Sequence, residues 1–201
     1  MDSITVYNAK GGTGKTSLSL ALALKTGNTI ITNDIYSPID DVLPSSKVLK
    51  LEPNEKVPIL DYSSPIIYDL GGHMMDTRIS QCLKQSKTIL IPTLTDYTSL
   101  KTTMYAIKEV EEFNKNIILI INKVSNEKEF FEAHKILSNF FTYEILRVKE
   151  SKCFQNMFKN KKSIDEMMQE NKLITRAYTE VNNQLINIIN TLDSKDNIKS
   201  A

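Results

Sequence analysis

Short apolar, β-branched runs recur at Ile4 to Tyr7, Thr29 to Thr32, Ile66 to Asp69, Thr88 to Ile91 and Ile117 to Ile121. Runs of this length with no polar alternate, bounded by turn residues, read as strands buried on both faces. Between them the apolar positions shift to helical spacing, over Leu18 to Lys25, Met75 to Leu83, Leu100 to Phe113 and Phe130 to Leu137. In the third of these, Leu100, Met104, Ile107 and Val110 share a face. The alternation of strand and helix predicts right-handed crossovers and an α/β fold, a mainly parallel twisted sheet with helices on both faces. A shorter strand pair is read at Val48 to Leu51 and Tyr143 to Leu146, the first inside a proline-rich stretch of loops from Asp34 to Pro65.

Toward the C-terminus, Ser163 stands three residues before Glu166, which is the spacing of a capping box at a helix start. A last helix is expected over Thr175 to Leu192, with Tyr178, Val181, Leu185, Ile188 and Leu192 on one face. That face predicts packing on the domain. A helix lying on a membrane surface would carry Lys and Arg on its polar side, and here Arg176 stands alone before a polar tail.

Composition narrows the class. With 201 residues, 41% hydrophobic and 24% charged, the chain is expected to form a single domain over residues 1–201. Its apolar runs are far shorter than the roughly 20 residues of a membrane span. The start enters a strand without a basic flank and apolar stretch, so a cytoplasmic location is expected. Cys82 and Cys153 lie far apart, outside any C-x-x-C pair, which argues against a disulfide framework or zinc site. The net charge of +1 hides an uneven distribution. From Ile145 to Lys162 the chain carries Arg147, Lys149, Lys152, Lys159, Lys161 and Lys162 against the single acid Glu150. That window is a candidate basic face.

The sharpest chemical signal follows the first strand. Lys10-Gly11-Gly12-Thr13-Gly14-Lys15-Thr16-Ser17 runs from a strand into a helix-forming series, the context of a phosphate-binding loop. Glycines let backbone N–H groups wrap a phosphate at a helix N-terminus. Lys15 then meets the β and γ phosphates of ATP, and the Thr16 hydroxyl is placed for Mg²⁺. At the end of a buried strand, Asp69 followed by Gly71-Gly72 supplies a second Mg²⁺ group and a glycine whose N–H can approach the γ-phosphate.

The pattern departs from the common phosphate loop, since Ala9 stands where the first glycine belongs and Lys10 follows it. K-G-G-x-G-K-T is the deviant Walker A signature, and at these residues the chain resembles the ParA/MinD family of ATPases. The resemblance implies that Lys10 reaches the partner's phosphates across an ATP-sandwiching homodimer. It implies that Asp34, in Thr32-Asn33-Asp34 where relatives read D-x-D-P-Q, orients the attacking water. Thr32 replaces the first aspartate of that pattern, and the Pro-Gln pair is absent. Asn122, ending the strand Ile117 to Ile121, matches the position that bonds the adenine edge, and Ile89-Leu90-Ile91-Pro92 with Ser99-Leu100 matches a further family region.

The likeness extends from Ile4 to the terminal segments and is most similar to the small ParA-type plasmid partition ATPases. For such a protein it implies hydrolysis that is slow without a partner, nonspecific DNA binding by the ATP dimer, nucleoid association, and a ParB-like partner that stimulates turnover. The basic window gives DNA binding a footing in charge alone. The alternative reading is a MinD-like positioning ATPase or a regulatory nucleotide switch with weak hydrolysis. A membrane role is not expected, because the polar tail lacks a basic amphipathic end.

Overall fold

The computed structural model describes residues 3–53, 55–58, 65–72 and 76–198. Seven strands form one sheet: β1 (Ile4–Tyr7), β2 (Thr29–Thr32), β3 (Val48–Lys50), β4 (Ile66–Leu70), β5 (Thr88–Thr93), β6 (Ile117–Val124) and β7 (Glu144–Lys149). Their order is β3-β2-β4-β1-β5-β6-β7, and every neighbouring pair runs parallel. The expected mainly parallel sheet is thus wholly parallel among the described residues. The chain works outward from β1 in one direction as far as β3, returns with β4, and then crosses to build β5, β6 and β7 on the other side. The order therefore reverses at β1, and in open parallel sheets the carboxyl ends of the strands at such a reversal are where ligands bind.

Helices α1 (Lys15–Thr26), α5 (Cys153–Asn160), α6 (Ile164–Glu170) and α7 (Lys172–Ile198) contribute to one apolar layer. Helices α2 (Thr77–Gln85), α3 (Tyr97–Glu111) and α4 (Glu127–Ser138) contribute to the other. Along β6, Ile118 and Ile120 join the first layer while Ile117, Leu119 and Ile121 join the second. Successive strand side chains point to opposite faces, so a strand covered on both sides must be apolar at every position. That is the physical origin of the continuous runs.

The two minor strands do not pair with each other. β3 adds to the edge at β2 and β7 to the edge at β6, because each finds a free backbone row on its own side of the sheet. β7 also runs on to Lys149, so Arg147 and Lys149 belong to a strand. The loop region from Asp34 holds two 3₁₀ turns, Pro38–Asp41 and Ser45–Lys47. Met75, at the start of the expected second helix, and the residues of that loop region numbered 54 and 59–64 lie outside the described residues.

The capping box forms as expected: Ser163 Oγ accepts from the Glu166 N–H at 3.1 Å, and the Ser163 N–H donates to Glu166 Oε2 at 2.7 Å. The apolar face of α7 is buried against the domain, with Val181, Leu185 and Ile188 at 1% exposure or less. Among the described residues no helix is long and apolar enough to cross a membrane. Removing the Leu185 side chain leaves a cavity under α7, so Leu185→Ala is expected to cost about 2–5 kcal/mol in urea unfolding. Ile186→Ala, on the exposed side of the same helix, is expected to change stability by less than about 0.5 kcal/mol. Equal effects would contradict the packing assigned to α7.

Candidate phosphate-binding site

The loop between β1 and α1 stands at the carboxyl edge where the strand order reverses. Its entrance is fixed by Asn8, which is fully buried. The Asn8 amide donates to the Pro92 carbonyl at 2.9 Å and to Thr103 Oγ1 at 2.8 Å, while its Oδ1 accepts from the Lys10 N–H at 2.9 Å. Gly14 caps α1 in the left-handed region, at φ 90°. A Cβ there would lie 2.3 Å from Asn122 Nδ2, so both backbone conformation and space demand glycine. The helix consequently begins at Lys15, three residues before the apolar spacing predicts, and places Lys15, Thr16 and Ser17 in its first turn.

Three carbonyls of the loop accept from side chains. Lys15 Nζ donates to the Lys10 carbonyl at 3.1 Å, Lys123 Nζ to that of Gly12 at 3.1 Å, and Asn122 Nδ2 to that of Thr13 at 2.8 Å. The Asn122 Oδ1 accepts from the Lys123 N–H at 2.9 Å. Of the sequence-selected residues, Asn122 therefore grips the loop itself. One amide N–H and one acceptor site on its oxygen are left for another partner. Lys123 was not selected from sequence. Its φ of 53° and the irregular β6–β7 register between Ile121 and Val124 turn its ammonium back over the loop.

Asp69 meets the first turn of α1 from β4. It is 2% exposed, and Ser19 Oγ donates to its Oδ1 at 3.1 Å. Burial pushes the carboxyl up to about 6, against hydrogen bonds from Thr16 and Ser19 and the charge of Lys15, which pull it down. Burial likewise lowers the Lys15 ammonium, opposed by Asp69 and Asp34. Lys15, Asp69 and Asp34 thus share one electrostatic environment. Gly71 lies over Lys15, since a Cβ on it would sit 3.6 Å from Lys15 Cε.

The glycine pair after β4 is held from two sides. Asn33 Nδ2 donates to the Gly71 carbonyl at 2.8 Å, and Asn33 Oδ1 accepts from the Gly71 N–H at 3.0 Å, so one side-chain amide pairs with both polar groups of one residue. Tyr7 OH donates to the Gly72 carbonyl at 3.2 Å. Asp34 is exposed, its Oδ1 accepting from the Tyr36 N–H at 3.0 Å, and Thr32 Oγ1 accepts from the Asp34 N–H at 3.1 Å. Thr32, where the family pattern has an aspartate, still supplies an oxygen to the turn. Asn33 and Tyr7 were also missed from sequence, because their partners lie 38 and 65 positions away. His73, next in the chain after Gly72, falls outside the described residues.

The candidate basic face is smaller than its sequence suggests. Arg147 pairs with Glu127 and lies over the Phe130 ring at 5.6 Å. Lys149 pairs with Glu180 at 2.7 Å, Lys161 with Asp41 at 3.6 Å, and Lys162 with Glu170. Lys152 and Lys159 are exposed and make no ion pair among the described residues. The window from 145 to 162 contains one acid, but folding brings four more from α4, α6, α7 and the turn at Asp41. Exposed pairs of this kind contribute only about 0–1 kcal/mol, so a polyanion can exchange for their carboxylates.

The structure is similar to that of McdA from Cyanothece solved with ATP, at 12% identity, covering 96% of each chain with a TM-score of 0.66. It is similar to the septum site-determining protein MinD of Pyrococcus horikoshii, complexed with Mg-ADP, at 14% identity, 96% and 97% coverage and a TM-score of 0.66. A putative plasmid partition protein of Borrelia burgdorferi bound to AMPPNP matches at 14% identity over 89% of this chain and 98% of that one, with a TM-score of 0.56. No protein-family model matches, and no curated protein matches. The chain thus has the α/β fold of the MinD, McdA and ParA-type P-loop NTPases, and these are its structural neighbours.

Gly14→Ala tests the loop directly. The added methyl meets the Asn122 amide and forces an unfavourable backbone conformation, so affinity for a fluorescent ATP analogue is expected to fall at least about tenfold, or about 1.4 kcal/mol. Helical content measured by circular dichroism should be retained. Unchanged affinity would contradict this placement of the loop.

Proposed function

We propose that this chain is an ATPase that works as a dimerisation switch, binding DNA nonspecifically in its ATP state to position a plasmid or chromosome. The observation that carries the reading is the meeting of Lys15, Thr16, Asp69 and Gly71 at one phosphate loop, with a second lysine, Lys10, on the same loop. Lys15 is placed to leave the Lys10 carbonyl for the β and γ phosphate oxygens. Gly11, Gly12, Thr13, Gly14 and Ser17 complete the cradle, and the free groups of the Asn122 amide are open to the adenine edge.

The oxygen donors of Thr16 and Asp69 fit Mg²⁺, a hard ion that prefers phosphate, carboxylate and water oxygens. Thr16 and Asp69 would hold the ion together with phosphate and water oxygens. When bound, Mg²⁺ supplies neutralisation of phosphate charge. Asp34 orients the attacking water, since phosphoryl transfer asks chiefly for positioning and charge stabilisation. Lys10 reaches the phosphates of the partner subunit and acts as an arginine finger would, which makes turnover conditional on dimerisation. Asn33 holds Gly71 over Lys15, where loss of the γ-phosphate is felt.

In the ATP dimer, Lys152 and Lys159 of both subunits meet DNA phosphates first. Arg147, Lys149, Lys161 and Lys162 follow by exchanging their carboxylates for phosphate oxygens. A ParB-like partner bound to the cargo stimulates hydrolysis and releases the dimer. The cycle places the protein in the cytoplasm, on the nucleoid. The ion pairing of four of the six cations specifically favours a second reading, a MinD-like positioning or regulatory switch whose ATP dimer holds something other than DNA.

Two measurements test this function. Lys10→Ala is expected to leave ATP affinity within about threefold of wild type and to abolish partner-stimulated turnover, whereas Lys15→Ala loses affinity at least about tenfold; normal turnover in Lys10→Ala contradicts the role of the second lysine. In mobility-shift titrations, DNA is expected to bind with ATP and not with ADP or without nucleotide. Lys152→Ala with Lys159→Ala should lower both affinity and the steepness of its salt dependence. Equal shifts in all three nucleotide states would reject DNA as the cargo track, and an ATP dimer that shifts no DNA would select the second reading.

A further inference from the structure

The face of α3 turned from the sheet and the adjoining end of α4 enclose a groove of about 320 Å³. Tyr97, Tyr105, Ile136 and Phe140 line it at 74%, 61%, 38% and 65% exposure. Single exposed apolar side chains are ordinary on a protein surface, whereas four around one hollow mark a face that something covers. The charged groups lining the groove are Lys101 and Lys108. Neither makes an ion pair among the described residues, in contrast with the cations of β7 and of the turns around α6. They stand seven positions apart on α3, which is two helical turns or about 10 Å.

We propose that this groove docks an amphipathic, acidic helix of a partner protein. Apolar side chains of the incoming helix fill the hollow, and two carboxylates spaced by two turns meet Lys101 and Lys108. Matched spacing on both helices makes each cation answerable by one acid, and the desolvated aromatic centre supplies most of the affinity. Single-stranded nucleic acid fits less well. It requires a continuous cationic track beside its stacking rings, and here two cations share one helix while Leu100, Met104 and Ile136 line the groove with aliphatic surface.

The site lies one helix away from the phosphate loop. Thr103, on the buried side of α3, accepts from Asn8, and Asn8 holds the Lys10 N–H. Asp96, which caps α3 next to Tyr97, feels the charge of Lys10. Docking itself rests on this surface alone; its consequence for turnover rests on the ATPase reading.

The test uses the full chain and two fluorescein-labelled designed helical peptides with the same Leu/Phe face, one carrying Glu at two positions seven apart and the other Lys. Labelled oligo-dT serves as the nucleic-acid probe. Anisotropy is expected to give the Glu peptide at least about tenfold tighter binding than the Lys peptide. Lys101→Glu with Lys108→Glu should reverse that order, Phe140→Ser should weaken the Glu peptide at least about fivefold, and amide NMR shifts should map to α3 and α4. The proposal is overturned by equal binding of the two peptides, by a preference that survives the double charge reversal, by tighter binding of oligo-dT through these residues, or by self-association through this face. ATP-analogue affinity is measured in the same variants and should not change. Loss of charge preference with intact ATP binding defeats the groove alone, whereas failure of the wild-type chain to bind ATP defeats the ATPase reading and leaves docking standing.

Discussion

A loop that presents its N–H groups to an anion must turn carbonyls the other way, and those carbonyls need donors of their own. Much of the structure around the first helix answers that requirement. Lys15, Lys123 and Asn122 donate to the carbonyls of Lys10, Gly12 and Thr13, and the first α1 hydrogen bond, from Leu18, takes that of Gly14. The side chains that satisfy the loop come from α1 and from the end of β6, so its form depends on β6 standing beside β5 in the sheet. Its form is a tertiary property.

The same reasoning extends to the neighbouring strand ends. Parallel strands deliver their carboxyl ends to one edge, which is why Asn8, Asn33, Asp69 and Asn122 gather from distant stretches of chain. At this edge carboxamides do much of the joining. Asn8 ties the loop entrance to β5 and α3, Asn33 ties the Asp34 loop to Gly71, and Asn122 ties β6 to Thr13. An amide both donates and accepts without net charge, so it fixes backbone without adding to the charge of Lys10, Lys15 and Asp69.

The strands and the loop were legible in sequence for definite reasons. A strand covered on both faces has no polar alternate, and Gly12 and Gly14 take positive φ values that glycine adopts without strain. The helix start at Lys15 was displaced because the apolar spacing begins at Leu18, while Gly14 sets the cap. Asn33, Tyr7 and Lys123 were illegible because their partners are chosen by crossovers, and local pattern carries no record of them. The positive φ of Lys123 had no signal at all, since a lysine there looks like any strand-end cation. The basic window misled in the opposite direction: charge counted along the chain omits Glu127, Glu170, Glu180 and Asp41, which the fold brings against it.

Two surfaces of the molecule differ in how their cations are met. On the β7 side the cations are mostly compensated within the chain. On the α3 side two cations and a cluster of rings remain uncovered. The proposed switch depends on the claim that ATP, through Lys10, converts one chain into a pair. Light scattering of the chain with Mg²⁺ and a non-hydrolysable ATP analogue, set beside the ADP state, addresses that claim most directly. The account predicts twice the monomer mass with the analogue and the monomer mass with ADP; the same mass in both states would contradict it.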